Sequence, residues 1–326
     1  MKKLENKIMK EKEIDISIVI PLKNEEEVLD LCFTEVTKEC KKLNKSFEII
    51  FVDDGSTDNS LNILENIAKQ NDFVKVISFS RNFGQRPALM AGFKKAKGKA
   101  VINMDCDLQD PVCLISMFVE KWEEGNDVVL FKRKERKGES FFKKLTSKIY
   151  YKVFKWLSKT NTPLDCGITR LLSRKVVDHI LSMPEHNIYL AGMTEFVGFK
   201  QAIVEHDRFE RKFGKTKYSF KSLIKLAINN IMPYSSTPIN FIFVLSMFLG
   251  LLGCVGVLAL TILSICSVVF SGVLWIVSTL LILGGITTMS IAIVGLYVFL
   301  TYTETLNRPR YIIAKTLNLG ENDEQN

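Results

Sequence analysis

Short apolar runs alternate with longer amphipathic segments in the N-terminal part of the chain. The runs cover residues 16–20, 47–52, 74–79, 100–104 and 128–131, and they are rich in β-branched and aromatic residues. Such runs are typical of strands that are buried on both faces of a sheet. Strands that alternate with helices at this spacing predict a mostly parallel sheet with right-handed crossovers. The pattern therefore indicates an α/β fold.

The segments between these runs contain turn and helix-start signals. The first strand is expected to end at Pro21, and Asn24 with the three glutamates after it predicts the start of a helix. Further helices are expected to begin near Ser60 and Gln85. Polar clusters follow the first, second and fourth strands, and parallel sheets bind ligands at the carboxyl ends of their strands. A ligand site is therefore predicted at that edge of the sheet.

The C-terminal part of the chain has a different pattern. No charged residue lies between Lys225 and Glu304, and this interval contains two apolar stretches at residues 239–266 and 273–300. Each stretch exceeds the roughly 20 residues that a helix needs to cross a bilayer. The break between them is short and uncharged, which predicts a two-helix transmembrane hairpin. The alternative is one very hydrophobic soluble core, although soluble core helices seldom run this long without charge.

Basic residues flank the apolar interval on both sides. They are Lys215, Lys217, Lys221 and Lys225 before it, and Arg308, Arg310 and Lys315 after it. The predicted turn of the hairpin has none, so the excess of positive charge places both flanks in the cytoplasm. The sequence thus predicts a cytoplasmic domain over residues 1–230, the hairpin within residues 231–303 and a cytoplasmic tail over residues 304–326.

Amphipathic segments precede the predicted hairpin. Residues 139–160 place apolar side chains at three- and four-residue spacing and lysines on another face, and residues 219–232 form a second such segment. Helices of this kind lie in the headgroup layer of a membrane, and the alternative is an ordinary surface helix packed on the sheet. The chain has 44 Lys and Arg against 36 Asp and Glu, a net charge of +8. Beside a membrane, this balance favours anionic lipid and phosphate over nucleic acid.

Asp105 and Asp107 follow the fourth predicted strand, with Cys106 between them. If the strand continues, the two carboxylates point to the same side and repel each other unless a cation lies between them. Mg²⁺ and Mn²⁺ are hard ions that take oxygen ligands and share them with substrate phosphates. The sequence therefore predicts a divalent-metal site for a phosphorylated substrate. Asp107 is the stronger candidate ligand, Asp105 the second and Gln109 a further one.

A second acidic pair, Asp53 and Asp54, follows the second predicted strand. One of these carboxylates could accept a hydrogen bond from a nucleobase, or it could cap the next helix. The chain has neither the glycine pattern of a Rossmann dinucleotide site nor that of a P-loop. Residues 208–218 form a basic loop around Gly214 that could bend over a phosphate; the alternative is an anchor that contacts lipid headgroups.

Four motifs carry a resemblance to a known family. They are PLKNEE at residues 21–26, VDDGSTD at 52–58, RNFGQ at 81–85 and DCDLQDP at 105–111. In combination, they resemble the family 2 glycosyltransferases. More narrowly, the chain is similar over nearly its whole length to the polyprenyl-phosphate glycosyltransferases, the relatives of dolichyl-phosphate-mannose synthase and of the bacterial undecaprenyl-phosphate glucosyltransferases.

The resemblance implies a GT-A fold, a nucleotide-sugar donor and Mg²⁺ or Mn²⁺. The donor site it implies comprises Pro21, Lys23, Glu25, Val52, Asp54, Cys106 and Gln109. Asp105, Asp107 and Gln109 would hold the metal and the diphosphate. The residues implied in catalysis are Asp107, Asp165, Arg133, Arg211 and Lys217, of which the three basic ones would face the phosphates at the donor–acceptor junction.

The chain departs from the family pattern at two positions. The family usually reads Asp-x-Gly-Asp-Phe-Arg where residues 165–170 read DCGITR, so Ile168 and Thr169 replace the second acid and the phenylalanine. Asp165 is retained, and the role of the second acid is open. The serine of the phosphate-binding loop is replaced by Thr216, which keeps the hydroxyl group.

The implied reaction is an inverting transfer of a sugar to undecaprenyl phosphate at the cytoplasmic leaflet of a bacterial inner membrane. UDP-glucose is the first candidate donor, and UDP-N-acetylhexosamine and GDP-mannose are the alternatives. A processive polysaccharide synthase is disfavoured, because only two spans are predicted and no Gln-x-x-Arg-Trp signature is present. A membrane-tethered scaffold with an inactive transferase fold is the alternative outside enzymes. Self-association of the chain is left open.

Overall fold

The computed structural model describes residues 13–133, 166–185, 188–207 and 272–319. The chain divides into two compact units. The described residues up to 207 and from 308 onward belong to the first unit, which contains the sheet. The long C-terminal helix belongs to the second.

The sheet contains eight strands within the described residues, in the order β7-β5-β6-β4-β1-β2-β3-β8. Their bounds are β1 Ile16–Leu22, β2 Phe47–Asp53, β3 Val74–Phe79, β4 Ala100–Asn103, β5 Val128–Arg133, β6 Cys166–Ser173, β7 Gln201–His206 and β8 Ile313–Leu317. The four central strands, β4, β1, β2 and β3, are parallel, as are β5 and β7. Strands β6 and β8 are antiparallel to their neighbours. The prediction of a mostly parallel α/β sheet is therefore confirmed.

Helices cover both faces of the sheet. Their bounds are α1 Leu29–Lys42, α2 Ser60–Gln70, α3 Gln85–Lys95, α4 Leu114–Glu123, α5 Arg174–Ser182 and α6 Leu190–Val197, with α7 Gly272–Thr305 in the second unit. Successive strand residues point to opposite faces. Ile18 and Ile20 accordingly pack with α1, α2 and α4, whereas Val19 packs with α3, α5 and α6. Burial on both faces explains the nearly continuous apolar runs of the central strands.

Strand β1 continues through Pro21, where the sequence predicted its end. The carbonyl of Val19 accepts from Met104 on the β4 side, and that of Leu22 accepts from Asp54 on the β2 side. Since residues alternate between the two sides, Pro21 faces the β4 side, beyond the last β1–β4 pair of Val19 and Asn103. No ladder hydrogen bond requires an N–H there, so the proline is tolerated.

Helix α1 begins at Leu29, five residues after the predicted start at Asn24. Asn24 adopts a left-handed backbone conformation, with φ 54°. The backbone N–H of Glu25 donates to the side chain of Ser60, the first residue of α2, and that of Glu26 donates to Asp58 in the loop after β2. These contacts hold the segment in a loop conformation before the helix begins.

Strand β8 is an element that the sequence reading missed, because it lies in the segment predicted to be a tail. It pairs with β3 in antiparallel register, with Ser78 opposite Lys315. Lys315 also forms an ion pair with Glu65 of α2 at 2.7 Å, and the ring of Tyr311 stacks on Phe79 at 5.0 Å. The segment after the apolar interval therefore completes one edge of the sheet.

The predicted hairpin and amphipathic segments are only partly covered by the described residues. Helix α7 covers the second predicted apolar stretch. The first stretch, at residues 239–266, and the amphipathic segments at 139–160 and 219–232 lie outside the described residues. When length and mean hydropathy are taken together, no helix in the described ranges qualifies as a membrane span.

Candidate active site

The loops after β1 and β2 are joined by hydrogen bonds at the carboxyl edge of the sheet. The backbone N–H of Asn24 donates to Ser56 Oγ at 3.0 Å, and its side-chain Oδ1 accepts from the N–H of Thr57 at 2.8 Å. The N–H of Glu25 donates to Ser60 Oγ at 3.1 Å. The motifs at residues 21–26 and 52–58 thus form one connected structure, which positions Lys23 and Glu25 at this edge.

Asp58 and Glu26 reinforce the same connection. Asp58 accepts from the N–H groups of Ser60 at 3.0 Å and Glu26 at 3.3 Å, and Glu26 accepts from the N–H of Asn59 at 2.9 Å. Burial alone would raise the pKa of Asp58, but the hydrogen bonds from Ser60 and Glu26 outweigh it and lower the pKa below its ordinary value of 3.8. The folded state therefore favours the ionised carboxylate.

An Asp58→Asn variant is expected to show how the stabilisation by the Asp58 carboxylate depends on pH. The pKa of Asp58 is lower in the folded state than its ordinary value of 3.8. The ionised carboxylate therefore adds to the free energy of unfolding above pH 3.8, and this stabilisation is lost as the pH falls through the folded-state pKa. We expect the variant to melt about 2–4 °C below wild type at neutral pH. Thermal unfolding of the full chain across the acid range should show this difference shrinking; a constant difference would contradict the assignment.

Asp53 and Asp54 have separate structural roles. Asp53 accepts from the N–H of Ser56 at 3.0 Å and from the hydroxyl of Ser78 at 2.8 Å. Asp54 accepts from the N–H groups of Phe83 at 2.7 Å and Gly84 at 2.9 Å. Asp53 therefore stabilises its own loop and β3, whereas Asp54 holds the loop after β3.

The environment of Asp54 affects its ionisation. Its side chain is buried, with 5% exposure, and this burial raises its pKa. The hydrogen bonds from Phe83 and Gly84 and the positive charge of Lys23 act in the opposite direction. The role that the resemblance implies for Asp54, at the base of a nucleotide pocket, stays a prediction; the structure shows its carboxylate binding the backbone of the chain itself.

Asp105 and Asp107 lie beyond the end of β4. The strand ends at Asn103, so the expectation that strand geometry places both carboxylates on the same side does not apply. Asp105 Oδ1 accepts from Gln85 Nε2 at 2.6 Å, and Asp107 Oδ1 accepts from the N–H of Gln109 at 3.1 Å. Both acids are partly exposed at the carboxyl edge. The turn that carries them therefore presents two carboxylates at the same edge of the sheet as the loops after β1, β2 and β3.

The donor set at this turn fits a divalent cation that also binds a phosphorylated substrate. Within residues 13–133, 166–185, 188–207 and 272–319, no group of three or more His, Cys, Asp or Glu side chains could hold a metal ion. A magnesium ion is commonly held by one or two carboxylates, with waters and substrate phosphates as its other ligands. Asp105 and Asp107 match that requirement.

The segment that departs from the family pattern packs against the acidic turn. The hydroxyl of Thr169 donates to Asp110 Oδ2, and Asn103 Nδ2 donates to the carbonyl of Ile168 at 2.8 Å. The side chain of Ile168 is 39% exposed. Arg170 is buried and donates to the same carbonyl at 3.0 Å, and its burial lowers its pKa to about 10. Thr169 thus uses its hydroxyl to support the turn after Asp107.

Of the other predicted site residues, some lie in the sheet or the core and others lie outside the described residues. Pro21 lies in β1, and the side chain of Val52 is fully buried in the core. The side chain of Cys106 is also buried, where it contacts the thiol of Cys32. Arg133 is the last residue of β5, and its side chain is not described. Asp165, Arg211 and Lys217 lie outside the described residues.

Gln85 is a site residue of the RNFGQ motif for which the sequence pattern predicted no role. It is the first residue of α3 and donates to the candidate metal ligand Asp105. Since α3 follows the third parallel strand, its N-terminus lies at the same edge as the acidic turn. The position of Gln85 at the start of the helix after a predicted parallel strand was the feature of the sequence that could have identified it as a site residue.

The fold and these residues define an α/β protein of the GT-A type, with a ligand site at the carboxyl edge of its sheet. The chain belongs to glycosyl transferase family 2, whose model matches residues 17–181. The family resemblance inferred from the motifs is thereby confirmed. The chain is a glycosyltransferase homologous to bactoprenol glucosyl transferases.

Relatives of this family match most of the chain. It is 37% identical over 307 residues to a prophage bactoprenol glucosyl transferase homologue of Escherichia coli (strain K12), covering 92% of this chain and 98% of that protein. It is 35% identical over 306 residues to the bactoprenol glucosyl transferase of Shigella phage SfII, with the same coverage of 92% and 98%.

A solved structure is also similar. The glucosyl-3-phosphoglycerate synthase of Mycobacterium tuberculosis, in complex with Mn²⁺, UDP and phosphoglyceric acid, is 19% identical and has a TM-score of 0.49. The match covers 67% of this chain and 76% of that chain.

Proposed function

We propose that the protein transfers a glucosyl residue from UDP-glucose to a membrane polyprenyl phosphate, with inversion at the sugar. The observation that carries this proposal is the placement of Asp105 and Asp107 at the carboxyl edge of the sheet, the edge that also carries the connected loops at residues 23–26 and 54–58. The names of the bactoprenol glucosyl transferases, which match over 92% of the chain, support the sugar and the acceptor.

Asp105 and Asp107, with Gln109 beside them, would hold Mg²⁺ or Mn²⁺. When bound, the cation supplies neutralisation of the negative charge that develops on the leaving diphosphate. Burial raises the pKa of Asp54 and the positive charge of Lys23 partly offsets this rise, so the nucleotide side of the site also carries a positive group. These residues would bind and orient the donor.

The chemistry requires charge stabilisation more than a strong base. A phosphate monoester has a second pKa of ~6, so the acceptor oxygen is already largely ionised at neutral pH. The remaining difficulty is the repulsion between the acceptor phosphate and the donor diphosphate. Arg133, Arg211 and Lys217 are proposed to offset this repulsion with their positive charges. Asp165 is proposed as a further acid of the site.

We propose that the catalytic domain lies at the cytoplasmic face of a bacterial inner membrane, held there by a two-helix hairpin. The support comes from the sequence, in which no charged residue lies between Lys225 and Glu304 and basic residues flank the interval. A membrane location would bring a water-soluble donor and a lipid acceptor to the same enzyme. UDP-N-acetylhexosamine and GDP-mannose remain the alternative donors, and a scaffold without activity is the alternative function.

The proposal is tested with the purified full-length protein, labelled UDP-glucose, undecaprenyl phosphate and Mg²⁺ or Mn²⁺. We expect a lipid-linked sugar to form and to disappear when the cation is chelated. Parallel reactions with UDP-N-acetylglucosamine and GDP-mannose determine the donor. Failure of all three donors to give a lipid product would overturn the proposal, and calorimetry without metal-dependent nucleotide binding would favour a scaffold.

A further inference from the structure

Gln85 makes the contact that joins the loop after β3 to the acidic turn after β4. Its side-chain Nε2 lies 2.6 Å from Asp105 Oδ1, and the two residues are 20 positions apart in the chain. An amide oxygen at this distance from a carboxylate oxygen would be repelled, so the amide must present its N–H donor. The contact therefore restrains the rotation of the Asp105 carboxylate.

The loop that carries Gln85 is itself held in place. The N–H groups of Phe83 and Gly84 both donate to Asp54, and the ring of Phe83 packs edge-on against Phe79 at 5.7 Å. The guanidinium of Arg81 lies 4.2 Å from the centre of the Phe83 ring. Gln85 thus starts α3 from a loop anchored on both β2 and β3, and its side chain reaches Asp105 from a fixed position.

A neutral donor suits this position for an electrostatic reason. A lysine or arginine beside Asp105 would form an ion pair and compete with a cation for the carboxylate. The amide of Gln85 orients the carboxylate and leaves its negative charge in place. Groups that hydrogen-bond a metal ligand in this way orient it, and their loss typically weakens metal binding by about 10–100-fold.

We propose that Gln85 is a positioning residue that orients Asp105 toward the divalent cation and the donor diphosphate. This inference rests on the proposed function, since it requires Asp105 to be a metal ligand. Because Asp54 holds the loop that carries Gln85, the orientation of Asp105 also depends on the loops after β2 and β3. The residue acts on Asp105 and needs no contact with the sugar or the lipid.

The test compares Mn²⁺ binding by wild type, Gln85→Leu and Gln85→Met in the presence of UDP, measured from the electron paramagnetic resonance signal of free Mn²⁺. Leucine and methionine both remove the donor, and methionine keeps the length of the side chain. We expect Mn²⁺ affinity to fall by about tenfold in both variants. The melting temperature and the KM for the lipid acceptor should stay near the wild-type values, while kcat falls.

Gln70 provides the matched control, because it is an exposed glutamine at the last position of α2. Gln70→Leu and Gln70→Met should bind Mn²⁺ as wild type does. Wild-type affinity in both Gln85 variants would overturn the positioning role and leave the proposed transfer intact. If wild type shows no UDP-dependent Mn²⁺ binding, both the Asp105 assignment and this inference are wrong. If wild type binds Mn²⁺ but forms no lipid product, the proposed function fails alone.

Discussion

Asp107→Asn is expected to reduce sugar transfer by about 100-fold or more while the protein stays folded. Loss of a charged ligand weakens a cation site whose charge stabilisation is worth several kcal/mol in such reactions. Asp107 Oδ1 accepts a hydrogen bond from the Gln109 N–H, and asparagine retains an oxygen that can accept it. The measurement is the initial rate of lipid-linked sugar formation, with melting temperature as the check on folding.

Asp30→Asn is the matched control for this experiment. Asp30 is an exposed residue in the first turn of α1, and its carbonyl accepts a hydrogen bond from the hydroxyl of Thr34. The same chemical change at this surface position should leave the rate near that of wild type. Near-normal transfer by Asp107→Asn would exclude Asp107 from the metal site.

Gly55→Ala is expected to destabilise the first unit by roughly 2–5 kcal/mol. Gly55 has φ 64°, where an added Cβ is unfavourable in any surroundings. That Cβ would also lie 2.5 Å from the carbonyl carbon of Arg81 and 2.8 Å from the backbone nitrogen of Asn82. The backbone of the loop after β3 would have to move, which would strain the Asp54 hydrogen bonds. Thermal or urea unfolding measures the loss.

Gly125→Ala separates the two causes. Gly125 also has a positive φ, at 86°, but an added Cβ there would have no neighbour within 4 Å. Gly125→Ala should therefore lower the free energy of unfolding only by the cost of a left-handed backbone conformation, about 1–2 kcal/mol. Equal losses in the two variants would show that the close approach of the β3 loop to Gly55 contributes nothing.

The central sheet was predictable because its strands are short apolar runs followed by polar clusters. Parallel strands must end at a common edge, so the motifs after β1, β2 and β4 had to lie close together. Strand β8 could not be found in this way. Its partner β3 lies more than 200 residues earlier in the chain, and the register of Ser78 with Lys315 is a long-range pairing that local patterns do not encode.

The separate roles of Asp53 and Asp54 could not be predicted from the sequence for a related reason. Asp53 and Asp54 look alike in a motif, but the first bonds Ser78 of β3 and the second bonds the loop that begins α3. Which carboxylate faces which loop depends on the three-dimensional arrangement of the strand ends. The contact between Gln85 and Asp105 depends on the same arrangement. The roles of Asp165, Arg211 and Lys217 stay predictions.

The return of the chain to the sheet after the apolar interval has a consequence for biosynthesis. Because β8 lies at residues 313–317, the ribosome must synthesise the whole apolar interval before β3 gains its outer neighbour. A protein truncated before residue 308 would retain Asp54, Asp105 and Asp107 but would leave one side of β3 with exposed N–H and C=O groups. Open strands of this kind pair with other molecules and promote aggregation. A soluble fragment designed for crystallisation should therefore carry the β8 segment on a short linker.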